Sequence, residues 1–189
     1  MRYSVWPVLV ILVIFIAPSA AQSRRPMAKT DPNLTELKKE SEIFENIVNT
    51  ALRQAVPHPM FIAGKARGSY LEGYGITFTM TINLNRKLIL FPKKKDENPP
   101  RSEEEEIHTF LARIRHKLTT VLEMYGDTLK QLTGDAHISL VVHVLSRSVL
   151  TNENFTRIMV LTTTKDTIAE HRRKVNTKEF YSKVHYVEY

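Results

Sequence analysis

Apolar and polar residues alternate most regularly where Ile76, Phe78, Met80, Ile82 and Leu84 are separated by Thr77, Thr79, Thr81 and Asn83. Period two predicts a strand with one buried and one solvated face. Residues 67–72 predict a shorter strand before it, with Gly73-Tyr74-Gly75 in between. Glycines flanking an aromatic permit a bulge or tight bend where a side chain would block backbone approach. A helical period instead marks Leu34–Ala55, which places Leu37, Phe44, Ile47, Val48, Ala51 and Leu52 on one face. Asn33 followed by Glu36 is a capping pattern, and Pro57 and Pro59 stop the element.

A second helix opens at Ser102, whose capping box with Glu105 sits in an acidic run that the helix dipole favours. Its stripe comprises Ile107, Phe110, Leu111, Ile114, Leu118, Val121, Leu122 and Tyr125, and Gly126 ends it. Residues 136–146 and 155–164 are rich in β-branched side chains on both faces, with Asn152-Glu153-Asn154 as the turn between them. They predict central strands in a sheet covered by helices. Residues 87–91 add a brief edge strand, and 92–100 form a charged loop containing prolines. In the tail, Asp166 caps one short helix and Asn176 with Glu179 caps another, docked by Phe180, Val184 and Val187. The expected fold is α+β: a single antiparallel sheet of about four to five strands packed by two long amphipathic helices, in the order α-ββ-α-ββ-α. This layout resembles roadblock or longin-like domains, a likeness of fold that carries no function.

The first residues follow a different logic. Arg2 precedes an apolar run over residues 5–17 broken only by Pro7, and Ser19-Ala20-Ala21 supplies small residues before a cut at Gln22. The run is shorter than the roughly 20 residues that cross a bilayer as a helix. Residues 1–21 are therefore expected to be a cleaved signal peptide, 22–33 a flexible lead-in, and 34–189 one domain, periplasmic or secreted. Membrane contact is expected only through the signal segment, if it stays uncleaved. The chain has no cysteine. That excludes disulfides, a lipid anchor, zinc-thiolate sites and cysteine nucleophiles, and points to a bacterial compartment.

The formal net charge is +7. It peaks at Lys93-Lys94-Lys95 and at His171-Arg172-Arg173-Lys174, which read as solvated loop and helix-end charge. Outside the cytoplasm nucleic acid is not an expected partner. Anionic lipid or cell-wall polymer is the electrostatic alternative.

Tests for chemistry return little. His137 and His143 share a strand face with Ser139 and Val141, about 20 Å apart, and cannot chelate one metal together. His108 and His116 are about 12 Å apart along their helix. Glu105 and His108 make an E-x-x-H step without a second copy, and the glutamate already serves a cap. No G-x-S-x-G, S-x-x-K or glycine-rich phosphate loop occurs. No catalytic residue, metal ligand or cofactor is assigned. The candidate interaction surface is the bend: Tyr70, Glu72, Gly73, Tyr74 and Gly75.

The segment Tyr70-Leu71-Glu72-Gly73-Tyr74-Gly75-Ile76-Thr77-Phe78 resembles the YL-x-GYG-x-x-F stretch of a family of exported bacterial proteins found in acidobacterial-type genomes. The pair Tyr125-Gly126, the step Lys165-Asp166 and the run from Glu179-Phe180 to Val184 are similar to further features of that group. The resemblance implies bacterial origin and a single domain, and transfers no activity. The expected function is a non-catalytic protein-interaction or envelope-associated domain, binding another envelope protein or itself. Alternatives are a hydrolase whose carboxylates, Glu72 and Asp166, meet at the bend, and a basic domain for anionic lipid or cell-wall polymer.

Overall fold

Asn33 Oδ1 accepts from the amides of Thr35 and Glu36 at 3.1 and 3.3 Å, and helix α1 (Leu34–Ala55) starts there. The computed structural model describes residues 31–56, 61–84, 103–147 and 154–189. In chain order the remaining elements are β1 (Ile62–Leu71), β2 (Gly75–Asn83), α2 (Glu103–Tyr125), β3 (His137–Arg147), β4 (Asn154–Thr164), α3 (Lys165–Lys174), α4 (Thr177–Lys183) and β5 (His185–Glu188). A 3-10 turn, Gly126–Thr128, ends α2. The edge strand expected at 87–91, the Ser102 cap, the Lys93-Lys94-Lys95 run and the Asn152-Glu153 part of the turn lie outside the described residues, as does the signal segment. Among the described residues no helix is long and apolar enough to cross a membrane.

The α+β class holds, but the sheet is mixed. Its order is β1-β2-β3-β4-β5, with β2 and β3 parallel and the other three pairs antiparallel. The expectation of a purely antiparallel sheet is thereby corrected. Three residues join β1 to β2 and six separate β3 from β4, too few for a parallel crossover, and both pairs are antiparallel. Between the pairs the chain returns through α2, and a long crossover of that kind brings the next strand in parallel. The tail also differs from expectation. The last helix stops at Lys183, and Val187 pairs with Val160 in a fifth strand instead of docking the helix.

Helices cover one face of the sheet. Ile76, Phe78, Met80 and Ile82 of β2, Ile138, Leu140, Val142 and Val144 of β3, and Met159 and Leu161 of β4 are buried there. They form one cluster with Phe44 and Leu52 of α1, Ile114 and Leu118 of α2, Ile168 of α3 and Phe180 of α4. The Phe44 and Phe78 rings meet at 4.7 Å and 45°, a tilted pair worth about 1 kcal/mol beyond its burial. The other face carries no helix among the described residues, which corrects the reading of β3 and β4 as strands covered on both sides. Val141, Leu145, Ile158 and Val160 look apolar in sequence because β-branched and aliphatic residues suit a twisted, half-exposed sheet face as well as a core.

Strand β1 is an edge, and α1 covers it. Asn49 Oδ1 accepts from the Ala66 amide at 2.8 Å, and Glu45 Oε1 accepts from the Gly68 amide at 2.8 Å. Two amides that would otherwise recruit a foreign strand are satisfied by side chains one turn apart on the helix. Glu45 also pairs with Arg67 at 3.2 Å.

One cap departs from expectation. Thr164, not Asp166, caps α3, its hydroxyl accepting from the Thr167 amide at 3.2 Å; Asp166 lies in the first turn. At the other end Val175 is exposed with φ 47 and ψ 51. A β-branched residue is poorly suited to this left-handed cap, which glycine fills without steric cost. Val175→Gly should raise the stability by about 1 kcal/mol, measured by urea unfolding. A destabilised variant would disprove the strain.

Candidate functional site

The hairpin between β1 and β2 splits the predicted surface in two. Leu71 pairs with Gly75, and the Tyr74 amide donates to the Leu71 carbonyl at 3.1 Å, so Glu72, Gly73 and Tyr74 form the turn. Gly73 supplies the positive φ of 75° that such a turn requires. Glu72 is exposed at the tip. Tyr70 pairs with Ile76 and packs half-buried against the core on the helix side. Tyr74 lies on the opposite face. The bend therefore does not present both tyrosines together, because a turn of this length returns the chain with Tyr70 still on the inward phase of the strand.

Gly75 is where β2 meets β3. Its φ is 135°, and a Cβ there would stand 2.1 Å from the His137 carbonyl oxygen. The Tyr74 carbonyl accepts from the His137 amide at 2.8 Å. With the backbones this close, the Tyr74 ring folds flat onto His137, centroids 4.7 Å apart and planes at 10°. Its hydroxyl shares a hydrogen bond of 2.6 Å with Ser139 Oγ, which in turn shares one of 2.9 Å with Thr162 Oγ1. Ser139 is 2 % exposed beneath this ring, while Tyr74 itself remains 38 % exposed.

Around Tyr74 the strand register lays out rows on the uncovered face. One row is Ser69-Thr77-Ser139-Thr162-His185, and the next is Arg67-Thr79-Val141-Val160-Val187. Leu71-Gly75-His137-Thr164 lies on one side of them and Thr81-His143-Ile158 on the other. None of these positions is a carboxylate. The His137 and His143 pair read from the sequence is on this face, and among the described residues no group of side chains is arranged to hold a metal ion.

Glu72 and Asp166 border neither of two concavities formed by the described residues. One is a groove of about 480 Å³ between α1 and α2, with Ile43, Met124 and Tyr125 among its walls. The other is a cleft of about 350 Å³ between α2 and the C-terminal segment, lined by His108, Leu111, Arg115, His116, Tyr181 and Tyr186. In the cleft the Arg115 guanidinium sits 3.9 Å from the Tyr186 ring centroid. Tyr186 donates its hydroxyl to Glu188 Oε2. Burial first, and the Glu188 hydrogen bond and charge second, push the Tyr186 hydroxyl up to about 12. Tyr181 shares hydrogen bonds with Thr120 Oγ1 at 2.8 Å and His116 Nδ1 at 3.3 Å.

The basic run His171-Arg172-Arg173-Lys174 is largely engaged within the fold. His171 Nε2 meets Glu123 at 3.1 Å, Arg172 donates to the Met124 carbonyl at 3.1 Å, and Lys174 pairs with Glu170. Lys165 turns inward too, donating to the carbonyls of Gly126 and Asp127 at 3.3 and 3.2 Å. Sequence reasoning missed the cleft and the Lys165 cap. The cleft's wall on α2 did leave a trace: His108, Ala112, Arg115 and Thr119 recur at helical spacing beside the apolar stripe. Compared with known protein families, curated proteins and solved structures, the chain has no match.

Proposed function

We propose that this chain is an exported bacterial domain that works without catalysis, binding another protein of the envelope through the uncovered face of its sheet, with Tyr74 at the end of that face where β2 and β3 begin. The supporting observation is the Tyr74-Ser139-Thr162 hydroxyl chain laid across that face. A tyrosine at a turn is free to point into solvent. Here it is fixed on the sheet by stacking and a hydrogen bond, with part of the ring still accessible. A rigid aromatic among short Thr, Ser and Val side chains orders little on binding and so loses little entropy.

The chemistry of the rows narrows the partner. The rows offer hydroxyls, imidazoles and short aliphatic side chains, and their one arginine, Arg67, already meets Glu45. A partner whose docking surface is weakly charged and rich in hydrogen-bonding and aliphatic groups fits that balance.

The test places a photo-activated cross-linking residue at Thr79, or at Arg173 on the helix layer, in cells exporting the full chain. Thr79 should give a discrete protein adduct, and Arg173 none. The adduct should disappear when Val160→Glu is added. Adducts of equal yield from both positions would remove the sheet face from consideration. Sequencing the same material should find Gln22 at the N-terminus, and a chain still beginning at Met1 would refute cleavage.

A further inference from the structure

The cleft beside α2 lies on the helix side of the sheet, away from Tyr74, and its chemistry differs from that of the open face. His108, Ala112, Arg115, His116 and Thr119 line one side of it at helical spacing, over a floor that includes the buried Leu111. Tyr181 of α4 and Tyr186 and Glu188 of β5 form the other wall. The β5 part of that wall is four residues long and pairs with β4 at the edge of the sheet. At about 350 Å³ the cleft falls within the range of small-molecule sites.

Its charges are arranged unevenly. Glu188 accepts from the Tyr186 hydroxyl and pairs with Arg157 at 3.6 Å, so the carboxylate in the cleft is already engaged. Arg115 has no carboxylate within ion-pair distance among the described residues. Lys39, Arg67, Lys165, Lys174 and Lys183 each do meet one. Stacking on Tyr186 covers one plane of the Arg115 guanidinium. The stack fixes the orientation of the group while its N–H edges stay clear of the ring, and those edges are what engage a carboxylate or phosphate in two parallel hydrogen bonds.

We propose that this cleft is a binding site for a small organic anion, a carboxylate or phosphate held by Arg115 and carried on a flat ring that packs against Tyr181, Tyr186, Leu111 and Ala112. The hydroxyl of Tyr181 and the ring of His116 border the site and supply further polar contacts to the ligand body. The pairing of an aromatic-lined wall with one ring-stacked arginine selects against neutral rings, which leave the guanidinium unpaired, and against bare anions, which leave the apolar wall in contact with water.

The experiment is an amide NMR titration of the full chain with benzoate and with phenyl phosphate, beside neutral phenol and inorganic phosphate. Shifts should concentrate on residues 111–116 and 186–188, and the stronger of the two aryl anions identifies the anionic group. Arg115→Gln should weaken the aryl anion about tenfold, the loss expected for a charge-assisted hydrogen-bonded contact. Ala112→Phe keeps every charge but fills the cleft, and should weaken binding as much. Arg113→Gln removes the same charge from the same helix outside the cleft lining and should change affinity less than about twofold. Melting temperatures of the three variants close to that of the parent confirm that all are folded. The proposal is overturned if phenol or inorganic phosphate binds as tightly as the aryl anions, or if Arg113→Gln weakens binding as much as Arg115→Gln. Absence of any saturable shift below about 10 mM would overturn it as well.

Discussion

Gly75→Ala is expected to destabilise the protein by at least about 3 kcal/mol, far more than Gly73→Ala two residues away. Both glycines have positive φ, at 135° and 75°. The difference is in what surrounds them. A methyl on Gly73 meets nothing within 4 Å, so its penalty is only that of the left-handed backbone, about 1–2 kcal/mol. A methyl on Gly75 would overlap the His137 carbonyl at 2.1 Å and the His137 amide at 2.7 Å. Those atoms belong to the central strand and cannot yield without opening the β2–β3 register. The Tyr74 carbonyl would lose its 2.8 Å bond from the His137 amide, and the ring stack and the Ser139 contact would follow. At about 2–4 °C per kcal/mol for a chain of this size, the melting temperature should fall by at least 6 °C. Calorimetry of the two variants decides the matter. A Gly75→Ala melting temperature no lower than that of Gly73→Ala would show that the backbones are not in this contact.

Lys165→Met is expected to destabilise by about 2–4 kcal/mol through the end of α2 rather than through an ion pair. Helix α2 has no basic residue in its own last turn. The Lys165 ammonium, with 10 % of its side chain exposed, reaches across from the start of α3. It donates to the carbonyls of Gly126 and Asp127 and to Asp127 Oδ1 at 3.1 Å. Arg172 does the same for the Met124 carbonyl. Together they satisfy acceptors left over at the helix end and neutralise its partial negative charge. Methionine fills similar space but strands those acceptors in a buried place. Asp127 is half-exposed, so the ion pair itself contributes little, and Asp127→Asn should destabilise by less than about 1 kcal/mol. Urea unfolding of both variants separates the two accounts. Equal losses would make the ion pair the main term and refute carbonyl capping.

These two sites also carry residues of the segments on which the expected resemblance rested. Gly75 and Phe78 of the first segment are needed for the β2–β3 contact and the core. Tyr125-Gly126 and Lys165-Asp166 meet at the α2 cap, and a Cβ on Gly126 would stand 2.5 Å from Ile168 Cδ1. Phe180 packs its ring 5.0 Å from His171 in the same corner.

Period and punctuation were enough to place α1, the alternating strand β2, the two later strands and the close backbone approach at Gly75. Those features depend on neighbours in sequence: helical spacing of Leu37, Phe44 and Leu52, strict alternation through Met80, and a glycine pair around one aromatic. Strand direction between β2 and β3 was not legible, because it depends on the path of α2 rather than on either strand's residues. Nor was the bare sheet face, since Val141 and Val160 satisfy a covered and an uncovered surface equally. Tyr74 was singled out from sequence, but its place on Ser139 and its separation from Tyr70 depend on the turn geometry.

The sequence by itself determined the two long helices, the strands β2, β3 and β4, the caps at Asn33 and Asn176, and the absence of thiol chemistry, because each rests on local spacing or composition. The tertiary structure decided the mixed sheet, the Lys165 cap, the Arg115 cleft and the open face. Each of these joins residues far apart in the chain, and only packing of the long helices against one side of the sheet brings them together.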